Sequence, residues 1–274
     1  MINLIKKLVH GVIKKFGYRL QHLSPIKGQT IPENEVTFKN FVSLANSYEL
    51  LINDQEEIIE KNQLRPYLMA KLTGTLSSEA YYIIESIAKT KELHGSVCEF
   101  GVGSGETSVL IANEILKSDK NLYLFDSFQG LPQPTKEDQL IDDIFNLGDI
   151  ESYQGLMASP IEVVKKKLDD INFPNNRLFI RSGWFEDTIT KTSNLPDRIS
   201  FAYVDFDFYE PIKLALEFLD KTTIADSIII VDDYDYFSSG SKLAVDEFLN
   251  DNPSYEFYIP DKKIGHFIIL KRKK

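Results

Sequence analysis

From Ser96 to its last residues the chain alternates short apolar runs with amphipathic stretches, and that alternation leaves few folds open. Apolar runs this short are strands buried on both faces, and the stretches between them have the period of crossover helices. Strand, helix, strand repetition builds a parallel sheet covered on both sides. The expected strands are Val97–Phe100, Asn121–Phe125, Arg177–Ile180, Ile199–Val204 and Ser227–Val231. The expected helices are Glu106–Lys117, Pro160–Leu168, Trp184–Thr190, Glu210–Leu219 and Ser241–Leu249. Two final runs, Tyr255–Ile259 and Gly265–Leu270, are joined by a link too short for a crossover, so they are expected to pair antiparallel.

The residues before this alternation divide in two. Leu4, Ile5, Leu8, Val9, Val12, Ile13 and Phe16 share one helical face, with Lys6, Lys7, Lys14 and Lys15 opposite. Residues 1–20 thus read as an amphipathic helix. Its lysines rule out a bilayer span, and it lacks the cleavage site of a secretory signal. It suits packing on the domain or a second subunit; peripheral contact of residues 1–16 with an anionic membrane surface is the other reading. Residues 21–92 read as a helical cap or lid, and residues 93–274 as the α/β domain, with an insert at 132–160.

Net charge is −10, a field that repels phosphate backbones, so no nucleic-acid partner is expected. The single cysteine, Cys98, excludes an internal disulfide and a multi-cysteine metal site, which fits a reducing, cytoplasmic setting.

Ligands of open parallel sheets sit at the carboxyl ends of the strands. The first end reads Glu99-Phe100-Gly101-Val102-Gly103-Ser104-Gly105-Glu106-Thr107. Glycines allow a tight turn and close ligand approach, and the next helix N-terminus offers free N–H groups. A dinucleotide fingerprint needs glycine where Glu106 stands, which disfavours a nicotinamide dehydrogenase. An acid before alternating glycines resembles instead the first motif of S-adenosylmethionine methyltransferases. The second strand ends at Asp126-Ser127, where an acid can accept from ribose hydroxyls, and the third at Gly183-Trp184, where the only tryptophan can edge an adenine or fill the core.

The fourth and fifth strand ends bring four acids together: Asp205 and Asp207, then Asp232 and Asp233. Unpaired, such carboxylates repel, and a hard divalent cation relieves them. No Cys/His set is near, so zinc is disfavoured. We assign Asp205, Asp232 and Asp233 to the cation and Asp207 to general-base work on an acceptor hydroxyl. Phe206, Phe208, Tyr209, Tyr234, Tyr236 and Phe237 flank the acids as acceptor-lining or core residues; His266 reads as structural.

Taken together, Glu99–Gly105, Phe125–Pro132, Gly183–Phe185, Val204–Tyr209, Val231–Tyr234 and Ala244–Phe248 resemble the macrocin O-methyltransferases, enzymes of sugar hydroxyls in antibiotics and related glycosides. The resemblance runs from about Lys71 onward and implies a Rossmann-like class I methyltransferase fold, a mostly parallel seven-stranded sheet with an antiparallel C-terminal hairpin. It implies S-adenosylmethionine and Mg2+, contact of Leu72-Thr73 with the cofactor, a three-aspartate metal site with a further aspartate as base, and a homodimer. The cofactor set is then Leu72, Thr73, Glu99, Gly101, Gly103, Gly105, Thr107, Asp126, Ser127, Gly183, Trp184 and Asp205. The long insert and the lysine-rich helix depart from the family pattern, so the acceptor stays open: a sugar or glycoside hydroxyl first, a phenolic or other small hydroxylated molecule as the alternative.

Overall fold

The computed structural model describes residues 33–53 and 58–274. The expected amphipathic helix at 1–20, and with it any membrane contact, lies outside them. Residues 34–274 form one compact unit. Its elements in chain order are α1 (Glu33–Asn53), α2 (Arg65–Met69), α3 (Ser77–Lys89), β1 (Ser96–Phe100), α4 (Glu106–Glu114), β2 (Leu122–Asp126), α5 (Ile161–Asp170), β3 (Leu178–Ser182), α6 (Phe185–Lys191), β4 (Ile199–Val204), α7 (Tyr209–Thr222), β5 (Thr223–Val231), α8 (Ser239–Asp251), β6 (Tyr255–Tyr258) and β7 (Ile268–Arg272). No helix among the described residues is long and apolar enough to cross a membrane.

The sheet runs β3-β2-β1-β4-β5-β7-β6. The first five strands are parallel, and β7 lies antiparallel to both β5 and β6, as the short final link requires. The order reverses between β1 and β4, so a crevice opens at their carboxyl ends. Strand alternation sorts the core into two layers. Val97, Leu122, Leu124, Phe201, Tyr203, Ile228 and Ile230 pack with residues of α3, α4 and α5 on one face. Cys98, Phe100, Phe125, Ala202, Val204, Ile229 and Val231 pack with α7 and α8 on the other. By the same alternation Glu99, Asp205 and Asp232 project on the first face with Tyr203.

Two boundaries differ from expectation for visible reasons. α4 stops at Glu114 rather than Lys117, because the Arg177 guanidinium draws the next carbonyls to itself, donating to Ile115 O (3.4 Å), Leu116 O (3.0 Å), Lys120 O (3.3 Å) and Ser118 O. β7 begins at Ile268 rather than Gly265, because the preceding residues serve the loop after β5: Tyr234 N donates to His266 O at 2.7 Å, and the His266 ring meets Asp235.

At the crevice β1 and β4 nearly touch. Asp205 N donates to Phe100 O at 2.7 Å, and Gly101 N donates to Phe125 O at 2.9 Å. Gly101 has φ +88°, and a Cβ there would sit 1.8 Å from the Asp205 carbonyl oxygen. Gly103 has φ +51° and nothing within 4 Å of such an atom. Gly101→Ala is therefore expected to destabilise the protein by about 3 kcal/mol or more, through steric overlap added to backbone strain. Gly103→Ala should cost about 1 kcal/mol, the left-handed conformation alone. Urea denaturation of both variants measures the difference; equal midpoints would contradict the close approach.

Candidate active site

The glycine turn is held by the acid at the end of β2. Asp126 Oδ2 accepts from Val102 N (2.7 Å) and Gly103 N (3.0 Å), and Oδ1 accepts from Phe128 N (2.6 Å). A carboxylate has about four lone-pair sites, so capacity remains toward a ligand. Ser127 closes its own turn by donating to Gly130 O at 3.1 Å, and Gly183 N donates to Asp126 O at 3.0 Å. Trp184 heads α6 half-buried, whereas the next residue, Phe185, fills the core; the aromatic left beside the β3 end is the tryptophan. Leu72 is fully buried and Thr73 exposed, while Thr107 is nearly buried in the first turn of α4.

Glu99 is wholly buried on β1, and neither carboxylate oxygen has a hydrogen-bond partner. Burial pushes its pKa well above the usual carboxylate range; the nearby Ser108 hydroxyl, itself without a well-formed partner, pulls the other way, and Asp126 and Glu106 add repulsion. A buried acid left without donors is costly, and together with the open surface over Gly103 it fits a site that takes a cationic, hydrogen-bonding group.

The acids of β4 and β5 meet beside this turn. One oxygen each from Asp205, Asp207 and Asp233 lies within 4.8 Å of the others, close enough for a single cation. Asp207 and Asp233 have φ +62° and +52°, left-handed conformations that aspartate tolerates better than most residues. Asp232 stands outside this trio: its Oδ2 accepts from the Tyr203 hydroxyl (2.7 Å) and its Oδ1 from Asp233 N (2.8 Å). The structure thus gathers all four expected acids, with Asp207 in the tight trio and Asp232 held next to it. The basic groups on this rim, Lys262 and His266, are taken by Asp235.

Asp205, Asp207 and Asp233 are half-buried by surface exposure, and desolvation first, then neighbouring charge, from Asp232 foremost for Asp205 and Asp233 and from Asp205 for Asp207, pushes all three well above the ordinary carboxylate range. Burial also raises Asp232, against which the Tyr203 and Asp233 hydrogen bonds pull down.

A fifth acid completes the cluster, and sequence reasoning missed it. Glu79, in the first turn of α3, is only 2% exposed and lies in hydrogen-bond contact with Asp232; burial and then Asp232 push its pKa well up. No spacing in the sequence ties this helix to the strand ends. Thr75 and Tyr203 were missed too. Tyr203 was legible, since alternation places it on the same face as Asp205. Asp138, in the insert, is a third omission. It accepts from Thr135 N and Oγ1 (both 2.8 Å), Tyr209 N (2.8 Å) and Ser238 Oγ (3.0 Å), pinning the insert to the loops after β4 and β5.

Of the six flanking aromatics, Phe208, Tyr209, Tyr234 and Phe237 are buried. Of the six, only Phe206 and Tyr236 are half-buried, and Phe206 packs against Phe100 and Phe185. Tyr236 stacks on His266 at 4.7 Å, and His266 Nδ1 lies 2.8 Å from Asp235 Oδ1, a structural setting.

A seven-stranded sheet of this order, with a glycine turn at the β1 end and an acid at the β2 end, is that of a class I methyltransferase. The O-methyltransferase NovP shares it at a TM-score of 0.62, with 18% identity over 86% of this chain and 98% of that one. Residues 36–256 match the macrocin-O-methyltransferase (TylF) family, and the chain belongs to that family. It is similar to the 8-demethyl-8-(2,3-dimethoxy-alpha-L-rhamnosyl)-tetracenomycin-C 4'-O-methyltransferase of Streptomyces olivaceus, 25% identical over 56% of this chain and 58% of the relative. It is also similar to the mycinamicin III 3''-O-methyltransferase of Micromonospora griseorubida, 27% identical over 51% of this chain and 55% of the relative. The chain thus spans little more than half the length of either relative in these matches.

The raised acids set a pH dependence. A carboxyl whose folded pKa lies above its unfolded value binds more protons in the fold, so stability is full below about pH 4 and falls as pH rises through the folded value. Without divalent cations, unfolding free energy should decline from about pH 5 upward. Asp233→Asn, which suits the left-handed backbone, should then be more stable than the wild type at pH 8 by on the order of 1 kcal/mol. Urea unfolding in EDTA at pH 5 and pH 8 reads this, and a wild type that gains stability with pH would contradict it.

Proposed function

We propose that this protein is an S-adenosylmethionine-dependent, Mg2+-assisted O-methyltransferase acting on a sugar hydroxyl of a glycoside or other glycan. The observation that carries the reading is the Asp205, Asp207 and Asp233 trio lying directly beside the glycine turn in a chain of this family. The relatives' names, one a 4'-O-methyltransferase of a rhamnosyl-tetracenomycin and the other a mycinamicin 3''-O-methyltransferase, support the acceptor class.

When bound, S-adenosylmethionine supplies an electrophilic methyl group, and a divalent cation supplies charge that acidifies a neighbouring hydroxyl. The chain's residues do the rest. Gly101, Gly103, Gly105 and Thr107 cradle the amino-acid end of the cofactor, and buried Glu99 receives its donors. Asp126 accepts from the ribose, Ser127 and Gly183 shape its pocket, and Trp184 edges the adenine. Leu72 and Thr73 border it from the segment before α3, and Asp205 faces both cofactor and cation. Asp205, Asp232 and Asp233 hold the cation, each bound oxygen of Asp232 keeping a second lone pair for that purpose. Asp207 would take the acceptor's proton; the methyl transfer itself is chemistry the cofactor would supply, its methyl–sulfur bond breaking as the acceptor oxygen bonds that carbon, with S-adenosylhomocysteine as the leaving group.

The trio's geometry supports a second role for Asp207, as a cation ligand in place of Asp232. Asp207→Asn separates the two. As the base, it should lower turnover by about 10²- to 10⁴-fold while calorimetric affinities for S-adenosylhomocysteine and Mg2+ stay near the wild type. As a ligand, it should weaken Mg2+ binding as well. Retained turnover on glycoside acceptors, or full turnover in EDTA, would refute the proposal.

A further inference from the structure

Two buried hydroxyls between the glycine turn and the acid cluster are not used by the chemistry above: those of Thr75, 3% exposed, and Tyr203, 0% exposed. Thr75 Oγ1 lies 2.7 Å from Thr107 Oγ1 and 3.3 Å from Tyr203 Oη. The Tyr203 hydroxyl donates to Asp232 Oδ2 at 2.7 Å. Each hydroxyl carries one proton. The proton of Tyr203 is committed to Asp232, so the Thr75–Tyr203 contact forms only with Thr75 donating. The proton of Thr75 is then committed in turn, so the Thr107–Thr75 contact forms only with Thr107 donating. The chain therefore has a single polarity: Thr107 to Thr75 to Tyr203 to Asp232. Thr107 is left able only to accept from a ligand at the turn, and Asp232 is held in one rotation with Oδ1 on Asp233 N.

We propose that Thr75 and Tyr203 are positioning residues that couple the two halves of the site, so that a ligand at the glycine turn and a cation at the acid cluster each bind more tightly when the other is present. The inference rests on the reading above, in which Thr107 borders the cofactor and Asp232 the cation. The physical cause is ordering. A ligand that fixes Thr107 fixes, through two buried hydrogen bonds, the hydroxyl that orients Asp232. The second ligand then meets a carboxylate already in place and loses less conformational entropy on binding. By thermodynamic linkage the effect is reciprocal. The buried setting of the Thr107–Thr75 and Thr75–Tyr203 bonds matters, because water competes least for hydrogen bonds there.

The test measures S-adenosylhomocysteine binding by calorimetry, in EDTA and in saturating MgCl2, for the wild type, Thr75→Val, Thr75→Ser and Tyr203→Phe. Using this product, whose sulfur carries no charge, avoids direct repulsion between a sulfonium and the cation. In the wild type Mg2+ is expected to tighten binding about fivefold. Thr75→Val, which keeps the shape and loses the hydroxyl, should reduce that ratio to below about twofold with little change of affinity in EDTA. Thr75→Ser should restore it, and Tyr203→Phe should lose it together with part of the Mg2+ affinity. A purely structural role would lower thermal stability without separating Val from Ser in the Mg2+ ratio. A wild type that binds both ligands without mutual effect, or variants that keep the wild-type ratio, overturns the inference. A wild type that binds neither ligand removes the proposed function itself, a result distinct from two uncoupled sites.

Discussion

The contact between the ends of β1 and β4 underlies the rest of the site. The Asp205 amide donates to Phe100, and the Asp205 carbonyl fills the space that a side chain at Gly101 would need. That approach brings the exit of β4, with Asp205 and Asp207, against the glycine turn. β5 pairs beside β4, Val204 opposite Val231, so Asp232 and Asp233 arrive at the same level. Glycine turn and acid cluster share a wall because two parallel strands meet at a switch point without a side chain between them.

The cost of this arrangement is concentrated charge. Glu79, Glu99, Asp205, Asp207 and Asp233 are all pushed above the ordinary carboxylate range, chiefly by burial. Elsewhere on the surface acids find lysines, as in Lys166–Asp170 and Lys191–Asp187. Buried acids without basic partners are disfavoured unless a ligand repays them, which is why sites of this kind are less stable empty than filled.

The segment before the sheet enters the site as well. α3 supplies Glu79, and the turn before it supplies Thr75, which reaches both α4 and β4. Hydrophobic residues of the same segment, Leu72 and Ile83 among them, pack in one layer with β1, β2 and β4. The insert is anchored in a comparable way by buried Asp138, which has no room to spare against Gly240.

What the sequence determined by itself was the sheet and which residues stand at its strand ends. Short apolar runs between amphipathic stretches dictate parallel pairing, a short final link dictates the antiparallel edge, and residues immediately after a strand inherit its position. Asp126, Asp205, Asp207, Asp232 and Asp233 were legible for that reason, and Tyr203 should have been. Only the tertiary structure decided how Glu79, Thr75 and Asp138 join them, which of four aspartates form the tight trio, and that Trp184 rather than Phe185 stays partly open. Those outcomes depend on helix packing and loop placement across long stretches of chain. Side-chain periodicity is a local property and carries no record of which distant helix face will close over a given strand.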